Sequence, residues 1–222
     1  MFITFEGIDG SGKSTQAQLL VDRLRRTGLR VCLFREPGGT KLAERVRALL
    51  LDPELEISPL VELLLFSSAR AQLVEEAIRP ELNHGAIVVC DRFYDSTTAY
   101  QGAGRGVLEM EWVKAFNCKI TGGLIPDRTY YISITPALAS ERRDARSDAR
   151  GTGGTGGTGE DSGRDRMEMA DSSFYQRVVS AYDQLAAAEP QRITQLDGRL
   201  TIDELHEAIW ADIQELRLPR GG

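Results

Sequence analysis

The octapeptide Gly7-Ile8-Asp9-Gly10-Ser11-Gly12-Lys13-Ser14 stands directly behind a short apolar run, residues 2–5, and opens a stretch of helical period over residues 13–26. It matches G-x-x-x-x-G-K-[ST] in the strand-to-helix setting that gives this pattern its meaning. Glycines let successive backbone N–H groups curl around the phosphates of a nucleoside triphosphate, and the helix N-terminus adds positive potential. Lys13 reaches the β and γ oxygens, and the Ser14 hydroxyl is placed to ligate Mg²⁺. The residues expected around ATP are therefore Gly7, Ile8, Asp9, Gly10, Ser11, Gly12, Lys13, Ser14 and Thr15.

Four further apolar runs of strand length, residues 31–34, 87–90, 130–134 and 193–196, are near-continuous rather than alternating, as in parallel strands buried on both faces. Helical stretches separate them. One runs from Pro59 to about residue 82 behind Ser58 as N-cap, Thr135-Pro136 opens another, and Thr201 with Glu204 forms a capping box for the last. Strands alternating with helices predict an α/β fold of three layers, a parallel sheet between helices. At 222 residues one such domain, residues 1–222, is expected.

The net charge of −6 excludes a broad electrostatic footprint on nucleic acid or anionic lipid, so phosphate must be held locally. No run of 18 apolar residues and no signal-like N-terminus occurs, which makes no membrane and a cytoplasmic location the expectations. Three isolated cysteines, Cys32, Cys90 and Cys118, support neither zinc nor a disulfide framework and read as buried or half-buried apolar residues. Seven of the 22 glycines fall in residues 151–163, a Gly/Thr tract too poor in apolar side chains to join a core. It reads as a flexible insertion in a flap and as a dispensable spacer.

The run ending in Asp91 resembles the second half of a triphosphate site, with an acid that holds the metal through water. Arg92 follows it where motor-type ATPases carry a water-activating glutamate, and no N-K-x-D tetrad is present. Something other than water is therefore expected as acceptor. Arg35 and Arg92 both follow strands, where open sheets place ligand-binding loops, and are spaced to clamp a second anion. The loop begun by Asp91 is expected to run on through Gly106. Phe66 and Arg70, at i and i+4, share a helical face that suits a pyrimidine, although Phe66 also continues the apolar patch Leu63-Leu64-Leu65.

With these residues assembled, the blocks "FEGIDGSGKSTQ", "REPGGT", "LLLFSSARAQ", "DRFYDSTTAYQG" and "DRMEM" resemble, in order, the motifs of the thymidylate kinase family. The resemblance implies a five-stranded nucleoside monophosphate kinase fold, magnesium-dependent transfer of the ATP γ-phosphoryl group to dTMP, and a homodimer. It makes Asp9 a contact to the substrate sugar, Arg35 and Arg92 contacts to its phosphate, and Phe66 and Arg70 contacts to thymine. Ser96, Tyr100 and Gln101 would line the base and the sugar.

The phosphate loop contains no arginine, so the resemblance moves the catalytic arginine to a lid over residues 141–170, where Glu141-Arg142-Arg143-Asp144-Ala145-Arg146 looks like the family's E-R-x-x-x-R segment. Arg142 and Arg146 would project from one helical face. The catalytic set is then Lys13, Arg92, Arg142 and Arg146, with Ser14 and Asp91 on the metal. No general base is required, because a phosphate monoester with a second pKa of about 6 is mostly dianionic at neutral pH. The motifs up to the acceptor loop also suit a deoxynucleoside kinase, and the phosphate loop alone suits a nucleotide-dependent switch. A coupled assay with dTMP, dUMP, dCMP and thymidine separates these readings.

Overall fold

The computed structural model describes residues 1–106, 108–151 and 171–216, and for 146–151 the backbone alone. Five strands, β1 (Phe2–Glu6), β2 (Val31–Arg35), β3 (Ile87–Asp91), β4 (Arg128–Ser133) and β5 (Ile193–Asp197), form one parallel sheet in the order β2-β3-β1-β4-β5. The chain steps from central β1 outward to one edge and later to the other, so the carboxyl ends of β3, β1 and β4 frame the crevice where open α/β sheets bind ligands.

Each strand except β4 runs one residue beyond its apolar stretch, and all five close on a polar residue: Glu6, Arg35, Asp91, Ser133 and Asp197. Ladder hydrogen bonds involve only the backbone, so Arg35 still pairs with Asp91, and Ser133 with Asp197. Polar ends belong there because that edge of the sheet meets ligand and solvent rather than core.

Helices cover both faces, as expected. Helix α1 (Lys13–Arg26) turns Ala17, Leu20, Val21 and Leu24 inward at helical spacing. It packs with Phe5, Tyr130 and the inner residues Ile209 and Ile213 of the last helix, α9 (Ile202–Glu215). Thr201 and Glu204 form the predicted capping box. Between them in sequence lie α2 (Lys41–Leu51), α3 (Pro59–Leu73), a π-helical turn Val74–Ile78, α4 (Arg79–Asn83), α5 (Tyr94–Thr97), a π-helical segment Thr98–Gly104, α6 (Met110–Ile120), α7 (Pro136–Gly151) and α8 (Ser172–Ala188). Ser58 occupies the N-cap of α3, but its hydroxyl makes no capping bond.

The structure corrects two expectations. The stretch after Asp91 is no open loop, since residues 94–104 are helical. Gly104 serves packing: a Cβ there would stand 2.7 Å from Phe174 and 2.8 Å from Val178 of α8. Cys118 is exposed, unlike buried Cys90 and intermediate Cys32. The Gly/Thr tract lies outside the described residues, apart from the backbone of Gly151 at the end of α7.

Candidate active site

The loop between β1 and α1 is built on positive φ. Gly10 and Gly12 have φ of 92° and 99°, a region that L side chains rarely adopt. A Cβ on Gly10 would lie 2.6 Å from the carbonyl oxygen of Ala139, so the loop packs backbone against backbone on the base of α7. Gly12 is the N-cap of α1, whose first turn carries no acidic side chain to compete with an anion for the helix dipole.

Beside this loop opens a cavity of about 310 Å³. All eight residues expected around the acceptor, Asp9, Arg35, Phe66, Arg70, Arg92, Ser96, Tyr100 and Gln101, line it, together with Lys13, Ser14 and Asp91. They come from the β1 loop, β2, α3, β3 and the helical segment after β3, and only the fold brings them together. Five cationic side chains, those of Lys13, Arg35, Arg47, Arg70 and Arg92, face three acids, Asp9, Glu36 and Asp91. A chain of net negative charge thus presents local positive charge where a phosphate would enter.

Arg92 is the most constrained of these residues. Its φ of 73° is in the left-handed region, a costly conformation for a side chain of this size. The guanidinium is fixed by Asp9 Oδ1 at 2.7 Å, Ser96 Oγ at 3.0 Å and the Tyr100 hydroxyl at 3.3 Å, and it lies 5.0 Å from the Tyr100 ring centroid. Lys13 Nζ donates to the same Asp9 oxygen at 3.0 Å. Burial alone would raise the Asp9 pKa, but Arg92 and Lys13 outweigh it and hold the carboxyl far below the usual range.

Arg70, 2% exposed, is largely committed within the protein. Nε donates to Glu36 Oε2 at 2.7 Å, Nη1 to Thr97 Oγ1 at 2.6 Å and Nη2 to the Phe93 carbonyl at 3.1 Å. The pattern of Phe66 and Arg70 on one face holds, but Arg70 also braces the segment that follows Arg92. Phe66 is half-buried against the cluster that contains Tyr100 and Phe174, so it is core and cavity wall at once. The Gln101 amide donates to buried Glu62 at 2.9 Å.

In the lid helix, Arg142 Nη2 donates to the Gly198 carbonyl at 2.8 Å, and Arg143 Nη1 donates to the Asp9 carbonyl at 2.8 Å. Arg143, which the spacing argument passed over, is therefore the described lid arginine hydrogen-bonded to the phosphate loop. The side chain of Arg146 lies outside the described residues. Sequence reading also missed Arg47, Leu51, Glu36 and Thr97 in the cavity wall, and Glu6 beneath it. Arg47 had a weak signal, its i+3 spacing from Glu44 on the helix after the Gly38-Gly39 turn; Glu6 had only its place as the acid that closes the first apolar run, inside the block "FEGIDGSGKSTQ".

The residues fit a hard cation. Asp91 Oδ1 is buried with no hydrogen-bond partner, and Asp91 shares the cavity wall with the exposed hydroxyl residue Ser14. Oxygen donors few in number suit Mg²⁺, which keeps several waters and takes the rest from substrate phosphates. Among the described residues no cluster of three His, Cys, Asp or Glu side chains forms a separate metal site, and no helix is long and apolar enough to cross a membrane.

A phosphate loop at the centre of a 2-3-1-4-5 parallel sheet, flanked by a cation-lined cavity, defines a P-loop kinase that acts on a small phosphorylated acceptor. The family described as thymidylate kinase matches residues 5–209. Thymidylate kinases from Deinococcus radiodurans and Chlorobaculum parvum are 45% and 44% identical, over 97% and 100% of this chain and 97% and 99% of theirs. The crystal structure of thymidylate kinase from Ehrlichia chaffeensis superposes with a TM-score of 0.74 at 33% identity, covering 96% of this chain and 98% of that one. The chain belongs to the thymidylate kinase family. Its activity is transfer of the γ-phosphoryl group of ATP to dTMP, giving ADP and dTDP, in a family whose members use magnesium.

Proposed function

We propose that the cavity beside the phosphate loop is the dTMP site and that the arginines on its wall and in the lid carry the transfer. The observation behind this reading is that eight separately placed residues and the loop lysine converge on one cation-rich cavity. Arg35 and Arg92 hold the dTMP phosphate, Phe66 stacks on thymine, and Arg70 keeps its remaining donor capacity for a base carbonyl. Asp9, Ser96, Tyr100 and Gln101 surround the sugar and the base edge. Residues 7–15 hold ATP, with Lys13 on its terminal phosphates.

The Ser14 hydroxyl and, by way of water, Asp91 would hold Mg²⁺, which would supply charge neutralisation for the donor phosphates. The protein's own contribution is to hold two anions in line and to stabilise the charge of the transferring group. Lys13, Arg92 and the lid arginines Arg142 and Arg146 do this, and the acceptor dianion needs no base. Residues 1–222 act as one kinase domain with a lid over 141–170.

A second copy of the chain is the partner this reading expects. Leu49, Leu60, Val61 and Leu64, on helices α2 and α3 that pack together, are each 46–49% exposed and suit a dimer face. Sedimentation equilibrium should show a dimer that Leu64→Glu converts to monomer.

The deciding experiment follows ADP and dTDP with dTMP, dUMP, dCMP and thymidine as acceptors, in wild type and Arg92→Ala. ADP should appear with dTMP and not with thymidine. Arg92→Ala should raise KM for dTMP more than about tenfold and leave KM for ATP within about threefold. An unchanged KM for dTMP would remove the acceptor from this cavity.

A further inference from the structure

Glu6, the last residue of β1, lies outside the cavity wall and is fully buried. Its Oε1 accepts from the Phe93 N–H at 2.8 Å and the Ser96 N–H at 3.3 Å. Its Oε2 stands 2.6 Å from Ser96 Oγ and 2.8 Å from the Tyr182 hydroxyl, and those two oxygens are 2.9 Å apart. Ser96 Oγ in turn accepts from Arg92 Nη1. A continuous path therefore runs from Tyr182 on α8 through Glu6 and Ser96 to the guanidinium that faces the cavity.

Three oxygens in mutual contact make three hydrogen-bonded edges, and each edge needs one proton. Ser96 and Tyr182 supply one apiece. The third is present only when the Glu6 carboxyl is protonated, and the ring is then complete, with Oε1 still accepting both backbone N–H groups. An ionised Glu6 leaves one edge without a proton. It also adds a second carboxylate to Asp9 in competition with an incoming phosphate for Arg92.

We propose that Glu6 is a positioning residue for the acceptor phosphate, working as a neutral acid that fixes Arg92 through Ser96 and Tyr182. This rests on the reading of Arg92 as the phosphate contact. The surroundings favour the neutral form. Burial, and after it the charge of Asp95, raise the Glu6 pKa to about 7 against the opposing pull of Ser96, Arg92 and the Phe93 N–H. The charged and titratable groups facing it are Arg92 and Asp95 from the segment after β3, Asp95 itself paired with Arg192, Cys90 from β3, Tyr182 from α8, and Tyr131 from β4, which stacks on Tyr182; Asp9, bonded to Lys13, lies on the far side of Arg92. A phosphate dianion arriving at Arg92 would strengthen the hold on the proton, because like charge disfavours the carboxylate.

The test is steady-state kinetics for both substrates from pH 6 to 8.5 in wild type, Glu6→Gln and Glu6→Ala. Glu6→Ala should raise KM for dTMP about tenfold with KM for ATP within about twofold. Glu6→Gln, whose amide oxygen keeps both backbone N–H groups and whose uncharged nitrogen donates to Ser96 and Tyr182 but cannot accept, should recover part of that loss. The ratio of wild-type to Glu6→Gln kcat/KM for dTMP should fall at least about threefold as pH rises through 7, a ratio from which titration of dTMP itself cancels. Equal rises in both KM values, a Gln variant as impaired as Ala, or a flat ratio would each overturn the proposal. Where Glu6→Ala does not fold, the Gln ratio decides alone. Arg92→Lys separates the two readings. An unchanged KM for dTMP there overturns the assignment of Arg92 and with it the Glu6 proposal, whereas a raised KM with inert Glu6 variants overturns the Glu6 proposal only.

Discussion

Arg92 Nη2 donates to Asp9 Oδ1 at 2.7 Å, on the same oxygen that Lys13 Nζ reaches at 3.0 Å. One carboxylate thus joins the cation assigned to the acceptor phosphate to the cation assigned to the donor, and offsets the repulsion between them. Asp9→Asn keeps the shape and removes the charge. It should lower kcat at least about tenfold, because two unshielded cations settle apart and the phosphates lose alignment. Single-turnover rapid quench measures this, and a wild-type rate would show that the shared oxygen has no part in alignment.

Arg70 and Glu36 form a buried pair, both below 7% exposure. Burial raises the Glu36 pKa and the Arg70 guanidinium opposes that rise. Removing Arg70 leaves Glu36 with an uncompensated charge and also frees Thr97 and the Phe93 carbonyl. Arg70→Ala should cost about 3–5 kcal/mol in urea unfolding. The double variant Arg70→Met with Glu36→Gln should recover part of that loss. Equal losses in the two variants would mean that packing rather than charge is responsible.

The sequence made the sheet, the phosphate loop and most of the cavity's lining legible, because each depends on local chemistry. Apolar runs mark buried strands, glycines mark positive φ, and arginines after strands mark anion contacts. What stayed hidden depends on partners far away in the chain. Residues 92–106 read as loop from their glycines and polar side chains. Of these, residues 94–104 fold as helix because Glu6 ties Ser96, Arg70 ties Thr97, and Arg192 ties Asp95 with bonds of 2.7 and 3.0 Å. Arg70 read only as a guanidinium for a base carbonyl for the same reason, since nothing in its own segment reveals Glu36 or Thr97. In α7 the resemblance to an E-R-x-x-x-R segment, with its i, i+4 spacing, singled out Arg142 and Arg146, whereas contact with the phosphate loop depends on where α7 crosses it, which puts Arg143 there.

The raised pKa of Glu6 also sets a stability profile. Its folded value, about 7, lies above the ordinary carboxyl value of 4.5, so between these limits the folded state holds a proton that the unfolded state lacks. Stability from this group is fully present below about pH 4.5 and is lost as pH rises through 7. The unfolding free energy of wild type relative to Glu6→Gln should therefore fall by an amount on the order of 3 kcal/mol from pH 4.5 to 8. Urea titrations at four pH values measure it. A difference that rises with pH would place an ionised carboxylate in the native state.

The lid arginines divide the last prediction. Arg143 Nη1 donates to the Asp9 carbonyl at 2.8 Å and its guanidinium lies 5.4 Å from the Tyr175 ring centroid, which suits a residue that seats α7 on the phosphate loop. Arg142 Nη2 is on the Gly198 carbonyl at 2.8 Å, a neutral acceptor that it can exchange for an anionic one at small cost. With no arginine in the phosphate loop, the proposed mechanism gives the charge that develops on the transferring group to Arg142 or Arg146, and a finger of this kind contributes about 10³–10⁵ in rate. Alanine at the one that serves should lower the single-turnover rate by at least about 10³ and leave KM for dTMP within a few-fold. Alanine at Arg143 should instead weaken ATP binding and lower the rate less than about 10², because it perturbs the loop's seat rather than the transition state. Wild-type single-turnover rates in both Arg142→Ala and Arg146→Ala would remove the lid from the chemical step and leave Lys13 and Arg92 to carry it.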